Sequence, residues 1–236
     1  MLQKSLLIFL LSFFCMASIS LNAQNCPELF QANRIGSYEM CNYDTKQKQT
    51  SSTAYTLDNV SAQKVVLTAL IKDEKGENQG EMTYEIRCDD NTIKVDMEHF
   101  FHTINSMSGN DDLDLDVEAE IIGEYLAYPQ NMQVGQSLKD GSLETETTME
   151  GALTIKMTVD FTERKVLAHE NVETPAGTFK AFKITSTNLV NMGFMTIKTK
   201  QLQWYVPDLG LVVKSESYNK KDKLSGSTSL CKIERK

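Results

Sequence analysis

The chain has 236 residues, 41% of them hydrophobic and 24% charged, with 24 basic and 32 acidic side chains for a formal net charge of −8. That length allows one large domain or two small ones. The acidic balance repels nucleic-acid phosphates, and no basic stripe with interleaved aromatics offsets it, so nucleic acid is not an expected partner.

The first segment reads as a leader. Lys4 supplies a basic start, Leu6 to Ile19 is an almost unbroken apolar run, and Leu21-Asn22-Ala23 offers a small-residue cleavage site before Gln24. This is the layout of a secretory signal peptide. Residues 1–23 are therefore expected to be removed, leaving 24–236 as an exported chain, periplasmic or extracellular. The apolar run falls short of the about 20 residues that a spanning helix needs, so no transmembrane span is expected after processing. A lipid anchor on Cys26 is the other alternative. Such anchors want a small residue directly before the cysteine and an aliphatic one two places earlier, where this chain has Asn25 and Ala23.

After residue 36 almost every segment reads with period two. Tyr55 and Leu57 alternate with Ala54, Thr56 and Asp58. Met82, Tyr84 and Ile86 alternate with Glu81, Thr83, Glu85 and Arg87. Leu153, Ile155, Met157 and Val159 alternate with Thr154, Lys156, Thr158 and Asp160. Phe179 and Phe182 open a segment through Ile184, and Met195 and Ile197 alternate with Thr196 and Lys198. Strict alternation marks strands with one face on a core and one in water. Turn residues separate them at Lys75-Gly76-Glu77-Asn78, Cys88-Asp89-Asp90-Asn91, Lys139-Asp140-Gly141, Pro175-Ala176-Gly177, Pro207-Asp208-Leu209-Gly210 and Lys220-Lys221-Asp222-Lys223. The pattern predicts an all-β domain of about ten to twelve strands with minor helix, the short helices falling at Pro27 to Ala32 and Glu98 to Met107. Strands joined by short turns make antiparallel meanders. A single curved antiparallel sheet, a half-barrel or open barrel, is the expected architecture.

Four cysteines follow the leader: Cys26, Cys41, Cys88 and Cys231. In an oxidising compartment an even count suggests up to two disulfides, with three connectivities open. No pair has the close spacing of a zinc knuckle.

Val134-Gly135-Gln136-Ser137-Leu138-Lys139-Asp140-Gly141, Val166 to Glu170, Thr174-Pro175-Ala176-Gly177-Thr178-Phe179 and Trp204-Tyr205-Val206-Pro207-Asp208-Leu209-Gly210-Leu211-Val212 follow one another in a recognisable order. This order resembles a family of exported bacterial β-proteins known as a domain of unknown function and also labelled TapB-like. The likeness extends forward to Tyr38-Glu39 and to Cys88 before Val95-Asp96-Met97. The resemblance implies one curved antiparallel sheet, similar in outline to lipid and lipoprotein carriers of the LolA type. It implies no activity and no catalytic residues. Read as fold residues, Gly177 and Gly210 suit turns that need positive φ, and Pro175 and Pro207 fix turn geometry. Trp204 and Tyr205 fall on opposite faces of a strand, one expected in the core and the other exposed.

Chemistry-bearing constellations are sparse. His99 and His102 with Asp96 and Glu98 make at most half a metal site, and His169 is distant in sequence. Asp112, Asp114, Asp116, Glu118 and Glu120 alternate with apolar residues. In a strand this spreads carboxylates along one face about 7 Å apart rather than converging them on calcium. A solvated or guarded edge strand explains the row more simply. No nucleophile elbow, Ser-x-x-Lys motif or phosphate-cradling glycine loop is present. The chain is thus expected to be no enzyme, with no catalytic residue, metal or cofactor. The favoured expectation is a lipid or other hydrophobic molecule held in the concave sheet, lined by Leu153, Ile155, Met157, Phe182, Ile184, Phe194, Met195 and Trp204. The alternative is an envelope adaptor that grips a protein partner.

Overall fold

A computed structural model describes residues 26–95, 122–123, 125–149, 153–193 and 195–236. The helix expected at Glu98 to Met107, the His99/His102 pair and the acidic row from Asp112 to Glu120 lie outside the described residues. The chain enters through a 3-10 turn, Glu28–Phe30, where a helix was expected. Five strands follow: β1 (Ile35–Tyr43), β2 (Gln49–Asp58), β3 (Lys64–Asp73), β4 (Asn78–Asp89) and β5 (Thr92–Val95). The second half holds β6 (Ile122–Gly123), β7 (Leu126–Pro129), β8 (Gly141–Met149), β9 (Leu153–Thr174) and β10 (Gly177–Asn191). It ends with β11 (Thr196–Val206), β12 (Leu211–Tyr218) and β13 (Leu224–Arg235). All are antiparallel in one 13-stranded sheet, as the meander pattern requires, and β6 is only two residues long. Among the described residues no helix is long and apolar enough to cross a membrane.

The strand order is β6-β8-β9-β10-β11-β12-β13-β1-β2-β3-β4-β5-β7. Chain ends meet in the middle of the sheet, where β1 pairs with β13. The two edges, β6 and β7, are neighbours in sequence. Gly123 lies on one edge and Leu126 on the other, and three peptide units span at most about 11 Å. Connectivity alone therefore brings the edges together and rolls the sheet into a nearly closed barrel. Closure covers the unpaired edges that an open sheet would expose.

Arg164 of β9 ties the seam. Its guanidinium donates to the carbonyl of Ala127 on β7 at 3.0 Å and to that of Lys139 in the loop before β8 at 2.6 Å. It also lies 5.1 Å from the centroid of the Tyr128 ring. Only 2% of this arginine is exposed. A buried cation is tolerable where its donors find oxygens and its charge a ring face. Burial draws its pKa down while Tyr128 and Asp140 oppose that drift. The loop at 133–137 completes the seam: the Gly135 N–H donates to Val166 O, and the Val166 N–H donates to Gln136 O.

The 3-10 turn plugs one end. Leu29 (0% exposed) and Phe30 enter the core. The backbone N–H groups of Glu28 and Leu29 donate to the carbonyls of Asp208 and Leu209, in the β11–β12 turn. Gly210 in that turn has φ +77°, and a Cβ there would stand 2.9 Å from Pro27 Cγ. Only glycine meets both demands. A disulfide from Cys26 to Cys88 fastens the plug to the end of β4, and a second joins Cys41 on β1 to Cys231 on β13, across the meeting of the chain ends.

Candidate functional site

Register fixes what faces the barrel interior. Directly paired residues share a face, so Tyr38, Tyr55 and Ala69 form one inner row across β1–β3, and Leu67 pairs with Tyr84 in the next. On the other wall Gln203 of β11 pairs with Ser215 of β12. Between these walls lies a cavity of about 320 Å³, at the lower end of the range for small-molecule pockets. Five of the eight tyrosines line it: Tyr38, Tyr55, Tyr84, Tyr128 and Tyr205.

The tyrosines form two groups. Tyr38 stacks on Tyr55 with centroids 4.6 Å apart, and Tyr84 meets Tyr55 edge-on at 6.0 Å. The hydroxyls of Tyr38 and Tyr55 share hydrogen bonds with that of Tyr84. Opposite, Tyr128 stacks on Tyr205 at 4.9 Å. Tyr128 donates to Gln203 Oε1 at 3.0 Å, and Gln130 Nε2 donates to the Tyr205 hydroxyl. Burial pushes the phenols of Tyr38, Tyr84, Tyr128 and Tyr205 up, and that of Tyr55 likewise. A phenol held high stays protonated at neutral pH and keeps its donor.

The inner rows change character along the barrel. Near the plug they carry Leu57, Val65, Leu67 and Val213. Tyrosines follow. Toward the opposite end, where the β1–β2, β3–β4 and β12–β13 turns lie, they carry amides and hydroxyls. Thr228 donates to Asn42 Oδ1 at 2.7 Å, and Asn42 Nδ2 to Ser51 Oγ at 2.9 Å. Across β10 and β11, Gln203 Nε2 and Asn188 Nδ2 both donate to Gln201 Oε1, and Ser186 donates to Asn188 Oδ1. Buried polar atoms must be paired, and this ladder pairs them without a charge. Chemically, such a site can stack, exclude water from an apolar body and exchange hydrogen bonds with a neutral polar group.

Of the expected lining positions whose side chains are described, Met157, Phe182, Ile184, Met195 and Trp204 are not among the residues that line this cavity. Leu153, Ile155 and Met157 stand on β9, Phe182 and Ile184 on β10, Met195 just before β11 and Trp204 on β11. Phe194 lies outside the described residues. Phe182, Ile184 and Trp204 are buried, Met157 is half-buried against the core, and Met195 is 43% exposed. Phe182 and Ile184 pair with Tyr205 and Gln203, and so extend the same inner face one strand further. His169, exposed on β9, stacks on Phe182 at 4.1 Å.

One expectation is corrected. Trp204 and Tyr205 do take opposite faces, but both are buried, at 5% and 1% exposure. Tyr205 enters the cavity. Trp204 on the outer face is roofed by Lys183 and Lys214, whose ammonium groups each lie 4.9 Å from its ring centroid, while its Nε1 donates to Glu170 at 2.9 Å. Long lysine stems bury an aromatic on a face that would otherwise be wet.

A family model described as DUF3108-like matches residues 36–230, from the second residue of β1 into the middle of β13. The chain belongs to the DUF3108-like family. The match spans both walls of the cavity and begins after the plug. No curated protein matches the chain. Two solved structures share the fold. One, from Bacteroides fragilis, is described as an exported protein with a YmcC-like fold; it is 22% identical, with a TM-score of 0.68 over 89% of this chain and 98% of that one. The other, described as a lipoprotein from Parabacteroides distasonis, is 17% identical, with a TM-score of 0.69 over 89% of this chain and 100% of that one. Neither description indicates an enzyme.

Sequence reasoning missed the tyrosines and Gln203 as a site. A signal was present: tyrosines recur at inward period-two positions of β2 and β4. It looked like ordinary core filling because nothing in one strand says which strands will oppose it.

Proposed function

We propose that the barrel is a non-catalytic binding protein that holds one lipid-like or other hydrophobic molecule in its interior. The observation that carries this reading is the cavity itself, walled by apolar and aromatic side chains with a few fixed polar groups, the usual composition of a small-molecule site. It would act in the manner of LolA-type carriers, to whose curved sheet the family resemblance likens this fold in outline. The place of action is outside the cytoplasm, in the periplasm or beyond. The leader-like residues 1–23, the two disulfides and the descriptions of the two similar structures support that location.

Native mass spectrometry of the processed protein from the cells that make it, followed by solvent extraction, tests the reading. A stoichiometric adduct of lipid size is expected. A clean apo mass under gentle conditions would overturn it in favour of an envelope adaptor. That second reading draws on Met195 and Ile197, which stand 43% and 39% exposed at the β10–β11 turn and offer a protein partner an apolar contact.

A further inference from the structure

The cavity wall holds a chemical specification beyond being apolar. About one residue in four of this chain is charged, yet among the described residues no Lys, Arg, Asp, Glu or His lines the cavity. Every polar group on the wall is a neutral hydroxyl or amide. We propose that the cavity selects an uncharged ligand, an alkyl or acyl body ending in a hydroxyl, ester or amide, whose polar oxygen is bound by the Tyr38–Tyr55–Tyr84 hydroxyl cluster. This inference rests on the reading of the barrel as a binding protein and narrows it to a ligand class.

Three features carry it. An ion entering a site without counter-charge loses its hydration and gains nothing equivalent. The phenols offer protonated hydroxyls throughout the neutral range, as any phenol does, and burial only moves them further from ionising. A hydroxyl both donates and accepts, so the cluster can open to admit one oxygen and re-form around it. The volume suits the body of such a molecule. At about 30 Å³ for each water-sized group in a liquid, about 320 Å³ holds on the order of ten non-hydrogen atoms.

The charged groups nearest the wall do not supply the missing counter-ion. Arg164 on β9 sits behind the Tyr128 ring, hydrogen-bonded to Tyr128, Ala127 O and Lys139 O, and Asp140 lies beside it. Lys183, Lys214, Glu170 and Glu216 stand on the outer face around Trp204, pairing as Lys183–Glu170 and Lys214–Glu216.

The test is a matched pair of probes, 1-nonanol and nonanoate, titrated calorimetrically into the full processed protein at pH 8 and at pH 6. Nonanol should bind equally at both. Nonanoate should bind at least tenfold more weakly than nonanol at pH 8 and tighten by up to about 100-fold at pH 6, following its neutral fraction two pH units nearer a carboxyl pKa. Tyr84→Phe, matched to the native protein by its melting curve, should weaken nonanol about tenfold. Nonanoate binding as tightly as nonanol at pH 8 would overturn neutral selection while leaving the cavity a binding site. An unchanged nonanol affinity in Tyr84→Phe would overturn the role of the hydroxyl cluster. Failure of both probes to bind would overturn the cavity reading itself, and this inference with it.

Discussion

The two ends of the barrel are built from opposite materials. The plugged end is apolar and cross-linked: Leu29 and Phe30 fill it, the Cys26–Cys88 disulfide fastens it, and Gly210 leaves room for Pro27. The opposite end is lined by Asn42, Ser51, Thr228, Gln201 and Asn188, joined by hydrogen bonds, and the Cys41–Cys231 disulfide links β1 to β13 beside them. The tyrosine cavity lies where one material gives way to the other. The lesson is a division of labour within one sheet. Apolar burial is concentrated at the plugged end, and the neutral polar rows lie toward the other.

Substitutions at the two ends should therefore act on different observables. The largest effect is expected from Cys26→Ser combined with Cys88→Ser. Opening a loop of 62 residues should cost about 4 kcal/mol, read as a lower midpoint in urea. A midpoint unchanged from native would show that the plug is not a stabilising element. Leu29→Ala comes next, at about 3 kcal/mol for emptying a fully buried site, and it should leave the amide and hydroxyl ladder intact.

Arg164→Leu tests the seam between the ends. It leaves the Ala127 and Lys139 carbonyls without their donor, at a cost of about 1–3 kcal/mol. Hydrogen exchange should quicken first in β7 and in the loop before β8. Uniform exchange across the barrel would mean that closure does not depend on this side chain. At the polar end, Thr228→Val should change stability by no more than about 1 kcal/mol while altering ligand uptake. A large loss of stability there would erase the contrast between the ends.

The smallest effect concerns acid. On the outer face, a hydrogen bond from Lys64, with Arg87 adding to it, holds the Glu85 carboxyl below the usual glutamate range. A carboxyl held low stabilises the fold above the ordinary glutamate pKa and loses that contribution as pH falls through its own value. Glu85→Gln should thus melt slightly lower than native at neutral pH, and the gap should close below about pH 4. A gap that persists in acid would assign the difference to packing.

Much of the barrel was legible from period-two alternation. The inward rows of β2 and β4, Tyr55 with Leu57 and Tyr84 with Ile86, were readable before any coordinates, as were the turns at Pro175 and Pro207. The cavity was not. On β11, Trp204 was expected to line the concavity, with Tyr205 on the opposite face. The barrel puts Gln203 and Tyr205 inside, where Gln203 is paired by Tyr128 and Gln201. Trp204 is then buried from outside by lysine stems.

The sequence by itself determined the strands, their antiparallel joining and the short turns, because alternation and turn chemistry are local and repeat every few residues. Only the tertiary structure decided that edges 123 and 126 meet and that Cys26 pairs with Cys88 and Cys41 with Cys231. It also decided that tyrosines from five strands face one another across a space that, among the described residues, only neutral side chains line. Those outcomes depend on which distant residues share a face once the sheet closes, and closure is a property of the whole ring of strands rather than of any one of them.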